Sequence, residues 1–226
     1  MSSGIITIAL PKGKLGEEAV SVLAAAGLPV HGVETDSRQL LFDFPQECYR
    51  YLICRPTDIP VYVEYGAADL GIVGKDTIVE AGADVFELVD LQFGKCKFVV
   101  ALPEETAALI SVDGVPDLRT LNRKRVATKF PRVAQNFFAS QGMQMEIIKL
   151  HGNIELAPQV GLAEMIVDIV STGRTLKENR LVAVKDIFQS TARLIANRVS
   201  YRMEYERLGL VVDRLRKAMK NGGCGC

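Results

Sequence analysis

The sequence predicts an α/β protein built from two similar lobes. Three observations carry this reading. Strand-like and helix-like segments alternate along the chain. Two pairs of segments repeat each other's format. The length, 226 residues, accommodates two lobes of about 100 residues each.

Ile5–Leu10 (IITIAL) is a short β-branched apolar run and reads as a buried strand. PKGK follows, then a helical pattern from about Leu15 that stops at Gly27, a residue suited to ending a helix. Val61–Gly74 (VYVEYGAADLGIVG) reads as a helix end, a turn and a buried strand, Leu70–Val73. KDTIVEAG is a second helical pattern and stops at Gly82. Cys96–Pro103 (CKFVVALP) is a strand. Lys124–Gly142 repeats the opening: a strand, a loop with Lys and Pro, and a helix closed by Gly142. Glu164–Val170 and Leu181–Phe188 are further buried strands. Over Arg202–Lys220, Leu208, Val211, Val212, Leu215 and Met219 share one helical face, with Arg and Lys opposite. Alternation of this kind implies a largely parallel sheet.

The internal echo implies the two lobes. YGAADLGIVGKDTI and VGLAEMIVDIVSTGRTL share a Gly, an Ala, an acid, an apolar strand, a Gly-bearing turn and a helix start. Gly66, Ala68 and Asp69 thereby correspond to Gly161, Ala163 and Glu164. The openings at Ile5–Leu15 and Val126–Ala134 echo each other as well. Two lobes would leave a cleft, and ligands of open α/β sheets gather at the carboxyl ends of strands.

Lys+Arg and Asp+Glu balance at 27 each, so no global field steers the chain to nucleic acid or to an anionic membrane. An anion site must therefore be local. MSSGIITIALPKGK does not read as a signal peptide, and no apolar stretch approaches the roughly 20 residues of a membrane span. Cys48, Cys54, Cys96, Cys224 and Cys226 are odd in number and irregular in spacing, which fits reduced thiols of a cytoplasmic protein. The tail GGCGC offers only two soft ligands and reads as a tail, not a metal site.

The stretch DIVSTGRTLKEN, Asp168–Asn179, supports two readings. Ser171, Thr172 and Thr175 supply hydroxyls, Gly173 a turn that a ligand can approach, Arg174 a cation, and the following helix free amides. These suit a phosphate monoester or a ribose 5-phosphate, with Asp168 placed for ribose hydroxyls or a metal. The other reading is a helix start capped by Ser or Thr, with Glu178 in its first turns. LPKGKL has lysines around a glycine but lacks the spacing of a nucleotide-binding P-loop. Lys12 there, Arg55 in CRPTDIP and Arg38 in a similar polar stretch are either solvated or aimed at polyphosphate. His31 and His151 both read as loop residues, and no nucleophile motif is present. The residues favour electrostatic catalysis on phosphorylated ligands over covalent catalysis.

GLAEMIVDIVSTGRTLKENRL closely resembles the phosphoribosyl-pyrophosphate signature of the ATP phosphoribosyltransferase family. LPKGKL, RPTDIPVYVEYGAADLGIVGKD, DLQFGKCKFVVA, RVATKFP and ELAPQVGLAE also resemble family blocks, in family order, to about residue 190. The resemblance implies a two-lobed periplasmic-binding-protein-like (type II) fold with a central cleft. It implies lobe I from residues 1–94 and 184–226, and lobe II from 95–183 with the phosphoribosyl-pyrophosphate loop. It implies transfer of phosphoribosyl to N1 of ATP with release of pyrophosphate and with Mg²⁺, the first step of histidine biosynthesis. By the same resemblance Ser171, Thr172, Gly173, Arg174 and Thr175 cradle the 5-phosphate and Asp168 faces the ribose. Arg55, Lys12 and Arg38 are expected at pyrophosphate or the ATP phosphates; no metal ligand is assigned. The length resembles the family's short form. That form implies homodimers of catalytic chains in a hetero-octamer with a regulatory subunit resembling histidyl-tRNA synthetase. A solute-binding protein or the ligand-binding domain of a regulator would share this architecture.

Overall fold

The computed structural model describes residues 4–222, so Cys224 and Cys226 lie outside the described residues. The chain forms two compact units. One runs to Gly94 and resumes at Thr191; the other is Lys95–Ser190. The first unit opens with β1 (Ile6–Pro11), α1 (Lys14–Ala25), β2 (Leu41–Phe44) and β3 (Tyr49–Cys54). A 3₁₀ turn leads to α2 (Ile59–Glu64), β4 (Leu70–Gly74), α3 (Lys75–Ala81) and β5 (Val85–Asp90). The second unit contains β6 (Cys96–Pro103), α4 (Glu104–Leu109), the small hairpin β7 (Ser111–Val112) and β8 (Val115–Pro116), and β9 (Arg125–Thr128). It continues with α5 (Pro131–Ser140), β10 (Glu146–Lys149), α6 (Leu156–Gln159), β11 (Met165–Val170), α7 (Arg174–Glu178) and β12 (Leu181–Ser190). The chain then completes the first unit with β13 (Ala192–Asn197), α8 (Arg198–Met203) and α9 (Tyr205–Gly222). The second passage between units thus falls after Ser190 and not at residue 184, because β12 pairs with β6 from Leu181 to Ser190.

The first sheet has strand order β2-β3-β1-β4-β13-β5 and the second β10-β9-β11-β6-β12. Dropping β2, the two orders are equivalent strand for strand. The sheets are mixed, not largely parallel. β1 runs parallel to β3 and β4, and β9 parallel to β10 and β11. β13 lies antiparallel to β4 and β5, and β6 antiparallel to β11 and β12. β6 and β13 are the strands on which the chain enters a unit from the other one, so no helical crossover within the sheet sets their direction.

The echo in sequence is an echo in hydrogen bonding. The Asp69 amide donates to the Thr7 carbonyl (2.9 Å), and its Oδ2 accepts from the Thr7 amide (2.9 Å). The Glu164 amide donates to the Arg125 carbonyl (3.1 Å), and its Oε2 accepts from the Arg125 amide (2.8 Å). Each acid therefore locks the incoming strand to the strand beside it. Ala68 and Ala163 are both buried. Gly66 and Gly161 end α2 and α6 at φ of 74° and 71°, a left-handed turn that a side chain would strain.

Successive residues of the first sheet feed opposite cores, as the strand period of two requires. Ile8, Leu10, Leu70, Ile72 and Leu194 pack with Leu23 of α1 and with Leu208, Val211, Val212 and Leu215 of α9. Ala9, Val73 and Ile195 pack under Ile59 and Val63 of α2 and Ile78 of α3. In the second unit Val99, Ala101, Ala127 and Ile166 pack with Ile154, Ala157 and Leu176. The apolar face expected at Arg202–Lys220 belongs to α9, and the helix is interrupted at Glu204, where φ is −118°. No helix among the described residues is long and apolar enough to cross a membrane.

Candidate functional site

β11 is buried at Met165, Ile166 and Val167 and leaves the core at Asp168. The chain turns through Ser171 and Thr172 to Gly173, which is the N-cap of α7 at φ 76° and ψ 0°. Leu176 anchors the short helix in the core. No side chain caps α7. The capped-helix alternative is thereby overturned: Ser171 and Thr172 do not occupy the cap position, and Glu178 accepts from Arg174 at 2.7 Å. The first amides of α7 have no carbonyl of their own helix to meet, and they carry the positive end of its dipole.

These residues line a cavity of about 370 Å³ within the second unit. Asp168, Ser171, Thr172, Gly173, Arg174 and Thr175, the six residues expected around a phosphorylated ribose, all border it. Three polar residues not anticipated there join them: Lys129, Asn153 and Glu155. Lys129 was visible in sequence only as the lysine of RVATKFP. Its place in the cavity depends on pairing between β9 and β11, which aligns Thr128 with Val167 and so sets Lys129 beside Asp168.

Charge in the cavity is mixed. Burial pushes the Asp168 carboxyl above the usual aspartate range, and neighbouring Glu155 pushes the same way. The Ile169 amide, which donates to Asp168 Oδ1 at 2.8 Å, and the Lys129 ammonium oppose that rise. Arg174 borders the cavity with a side chain that is 83% exposed and paired with Glu178.

Lys12, Arg55 and Arg38 belong to the first unit. The Lys12 amide donates to the Cys54 carbonyl (3.0 Å), which brings Lys12 and Arg55 together at the carboxyl ends of β1 and β3. Arg38 follows a segment tied to the same loop, where the Gly13 amide donates to Asp36 Oδ1 (3.0 Å). All three side chains are exposed. Beside Arg55, burial and then Asp58 push the Cys54 thiol up to about 11, so it stays protonated and unreactive at neutral pH. His31 packs edge-on against Phe44, with ring centroids 4.7 Å apart. The described residues hold no group of three or more His, Cys, Asp or Glu able to cage a metal.

The fold agrees with that of known proteins that the chain resembles. A model of the ATP phosphoribosyltransferase family matches residues 55–217. The chain is 65% identical over 225 residues to an ATP phosphoribosyltransferase of Moorella thermoacetica, spanning 99% of this chain and 97% of that protein. It is 56% identical over 219 residues to one of Desulfitobacterium hafniense, spanning 97% and 98%. Among solved structures, the ATP phosphoribosyl transferase (HisG:HisZ) complex from Thermotoga maritima matches with a TM-score of 0.78 at 32% identity, over 96% of this chain and 100% of that one. The substrate binding protein of an amino acid ABC transporter matches with a TM-score of 0.57 at 12% identity, over 97% and 95%. That last likeness is one of fold alone, the periplasmic-binding-protein fold. Identity over nearly the whole chain decides between enzyme and binder: the chain belongs to the ATP phosphoribosyltransferase family, pentosyltransferases that open histidine biosynthesis, and it matches that family's short form in length.

Proposed function

We propose that this chain transfers the phosphoribosyl group of phosphoribosyl pyrophosphate to N1 of ATP and releases pyrophosphate. One observation carries the assignment of the site: the six residues of the signature border a single cavity at an uncapped helix start. In this reading Ser171–Thr175 hold the 5-phosphate, through hydroxyls and through backbone amides that no side chain occupies. Asp168 accepts from the ribose hydroxyls. Lys12, Arg55 and Arg38 meet pyrophosphate or the phosphates of ATP.

The reaction asks for this kind of site. As the bond from C1 to pyrophosphate breaks, positive charge grows on the ribose and negative charge on the leaving group. Fixed donors and cations lower that barrier when they are better matched to the transition state than to the substrate. Mg²⁺ fits without a cage, because it is commonly held by one or two carboxylates together with substrate phosphates. Asp168 and Glu155 are the carboxylates of this cavity and would hold it; the ion would offset charge on the leaving pyrophosphate.

In the same reading the chain acts in the cytoplasm with a regulatory subunit resembling histidyl-tRNA synthetase; the HisG:HisZ complex from Thermotoga maritima supports a partner of this kind. Homodimers of this chain would assemble with that subunit into a hetero-octamer. The test is to supply ATP, phosphoribosyl pyrophosphate and Mg²⁺, with and without the regulatory subunit, and to follow phosphoribosyl-ATP and pyrophosphate. Both products should appear together. Binding without turnover in both conditions would sink the proposal.

A further inference from the structure

We propose that Lys129 is a binding residue for the phosphorylated ribose and works as a pair with Asp168: the ammonium meets phosphate oxygens of the ligand while the carboxylate meets ribose hydroxyls. The inference rests on the reading of the cavity as the phosphoribosyl-pyrophosphate site.

The internal duplication isolates the pair. The locks at Asp69–Thr7 and Glu164–Arg125 bring the two units into correspondence. Strand register agrees, since Ala9 pairs with Gly71 and Ala127 pairs with Ile166. Carried two residues further, Lys129 corresponds to Pro11 and Asp168 to Val73. Pro11 and Val73 are buried and apolar. The second unit alone places a cation and an anion side by side at these positions, and it is the unit that carries the phosphate loop.

The charge of the cavity favours a cation on its lining in addition to any metal ion its carboxylates hold. Asp168 and Glu155 both border it and would repel an incoming phosphate. Arg174, the cation expected for this task, is highly exposed and already paired with Glu178. Lys129 is the remaining charged group on the lining, and it already acts on the Asp168 carboxyl. A compact ammonium on a flexible stem serves as a point charge for phosphate.

The experiment titrates phosphoribosyl pyrophosphate with Mg²⁺, and ATP separately, into the full chain and its variants. Lys129→Met should weaken phosphoribosyl pyrophosphate by about 10- to 100-fold, the loss of one charge-assisted hydrogen bond, and leave ATP affinity unchanged. Lys129→Arg should restore most of the affinity. Should Lys129→Met fail to fold by circular dichroism, Lys129→Gln takes its place. Gly173→Val is the control, because φ near 76° excludes a β-branched residue. If Gly173→Val loses the ligand while Lys129→Met keeps it, or if Lys129→Met weakens ATP equally, the role of Lys129 is refuted and the loop reading stands. If the parent chain does not bind phosphoribosyl pyrophosphate, or Gly173→Val binds it normally, the loop reading falls and takes Lys129 with it.

Discussion

At the scale of single residues, Asp168 carries a cost in stability. Burial makes its carboxyl easier to protonate in the folded chain than in the unfolded one. The folded state therefore binds more protons than the unfolded state between the ordinary aspartate value and the raised one. Stability falls as pH rises through that window, and the deficit persists above it. Asp168→Asn removes the ionisation. Thermal melts should find this variant more stable than the parent at about pH 7, with the difference closing below about pH 4, where the parent carboxyl is protonated too. The same variant should lose affinity for phosphoribosyl pyrophosphate, because the amide is a poorer acceptor for ribose hydroxyls. A variant destabilised at neutral pH would contradict the direction of this shift.

At the scale of elements, the echoed segments divide into a shared structural part and an unshared chemical part. The shared glycine ends a helix, the alanine packs, and the acid ties one strand to the next. Glu164 adds an ion pair with Arg125 (2.8 Å), and hydrogen bonding from that guanidinium holds its carboxyl below the usual range. None of these residues borders the cavity. The turns after β4 and β11 differ: Gly74 leads straight into α3, whereas Ser171–Gly173 bulge out ahead of α7. The close fit of β4 under α2 has its own requirement. A Cβ on Gly71 would stand 2.8 Å from Cγ2 of both Ile59 and Val63. Gly71→Ala should cost about 1–3 kcal/mol through overpacking, read as a lower denaturant midpoint with an unchanged slope.

At the scale of the whole molecule, the first unit depends on both ends of the chain. α9 returns Leu208, Val211, Val212 and Leu215 to the core begun by β1, with each at most 1% exposed. Burying one such side chain contributes roughly 1.5–3 kcal/mol, so four of them rival the roughly 5–15 kcal/mol that holds a domain folded. Deleting the chain from Tyr205 onward should abolish cooperative melting of this unit, seen as a broadened or absent transition by circular dichroism. A truncated chain that melts like the parent would show that α9 is dispensable.

Local order was legible in the sequence. The runs at Ile5–Leu10, Cys96–Pro103 and Glu164–Val170 are strands, and Leu208 to Leu215 do share one buried face. The gathering of Asp168 and Ser171–Thr175 around one cavity was legible too, because they are nearly consecutive and their spacing is fixed by covalent succession. β3 and β13 were not: YRYLIC is short and half polar, and ARLIAN is brief, so neither becomes a strand until a sheet is there to receive it. The uncapped start of α7 at Gly173, the pairing of Arg174 with Glu178 and the arrival of Lys129 beside Asp168 were decided only in three dimensions. Periodicity and turn chemistry act between neighbours in the chain. Strand register joins residues some forty positions apart, as at Thr128 and Val167, and it is set by the burial of a whole unit, which no short stretch encodes.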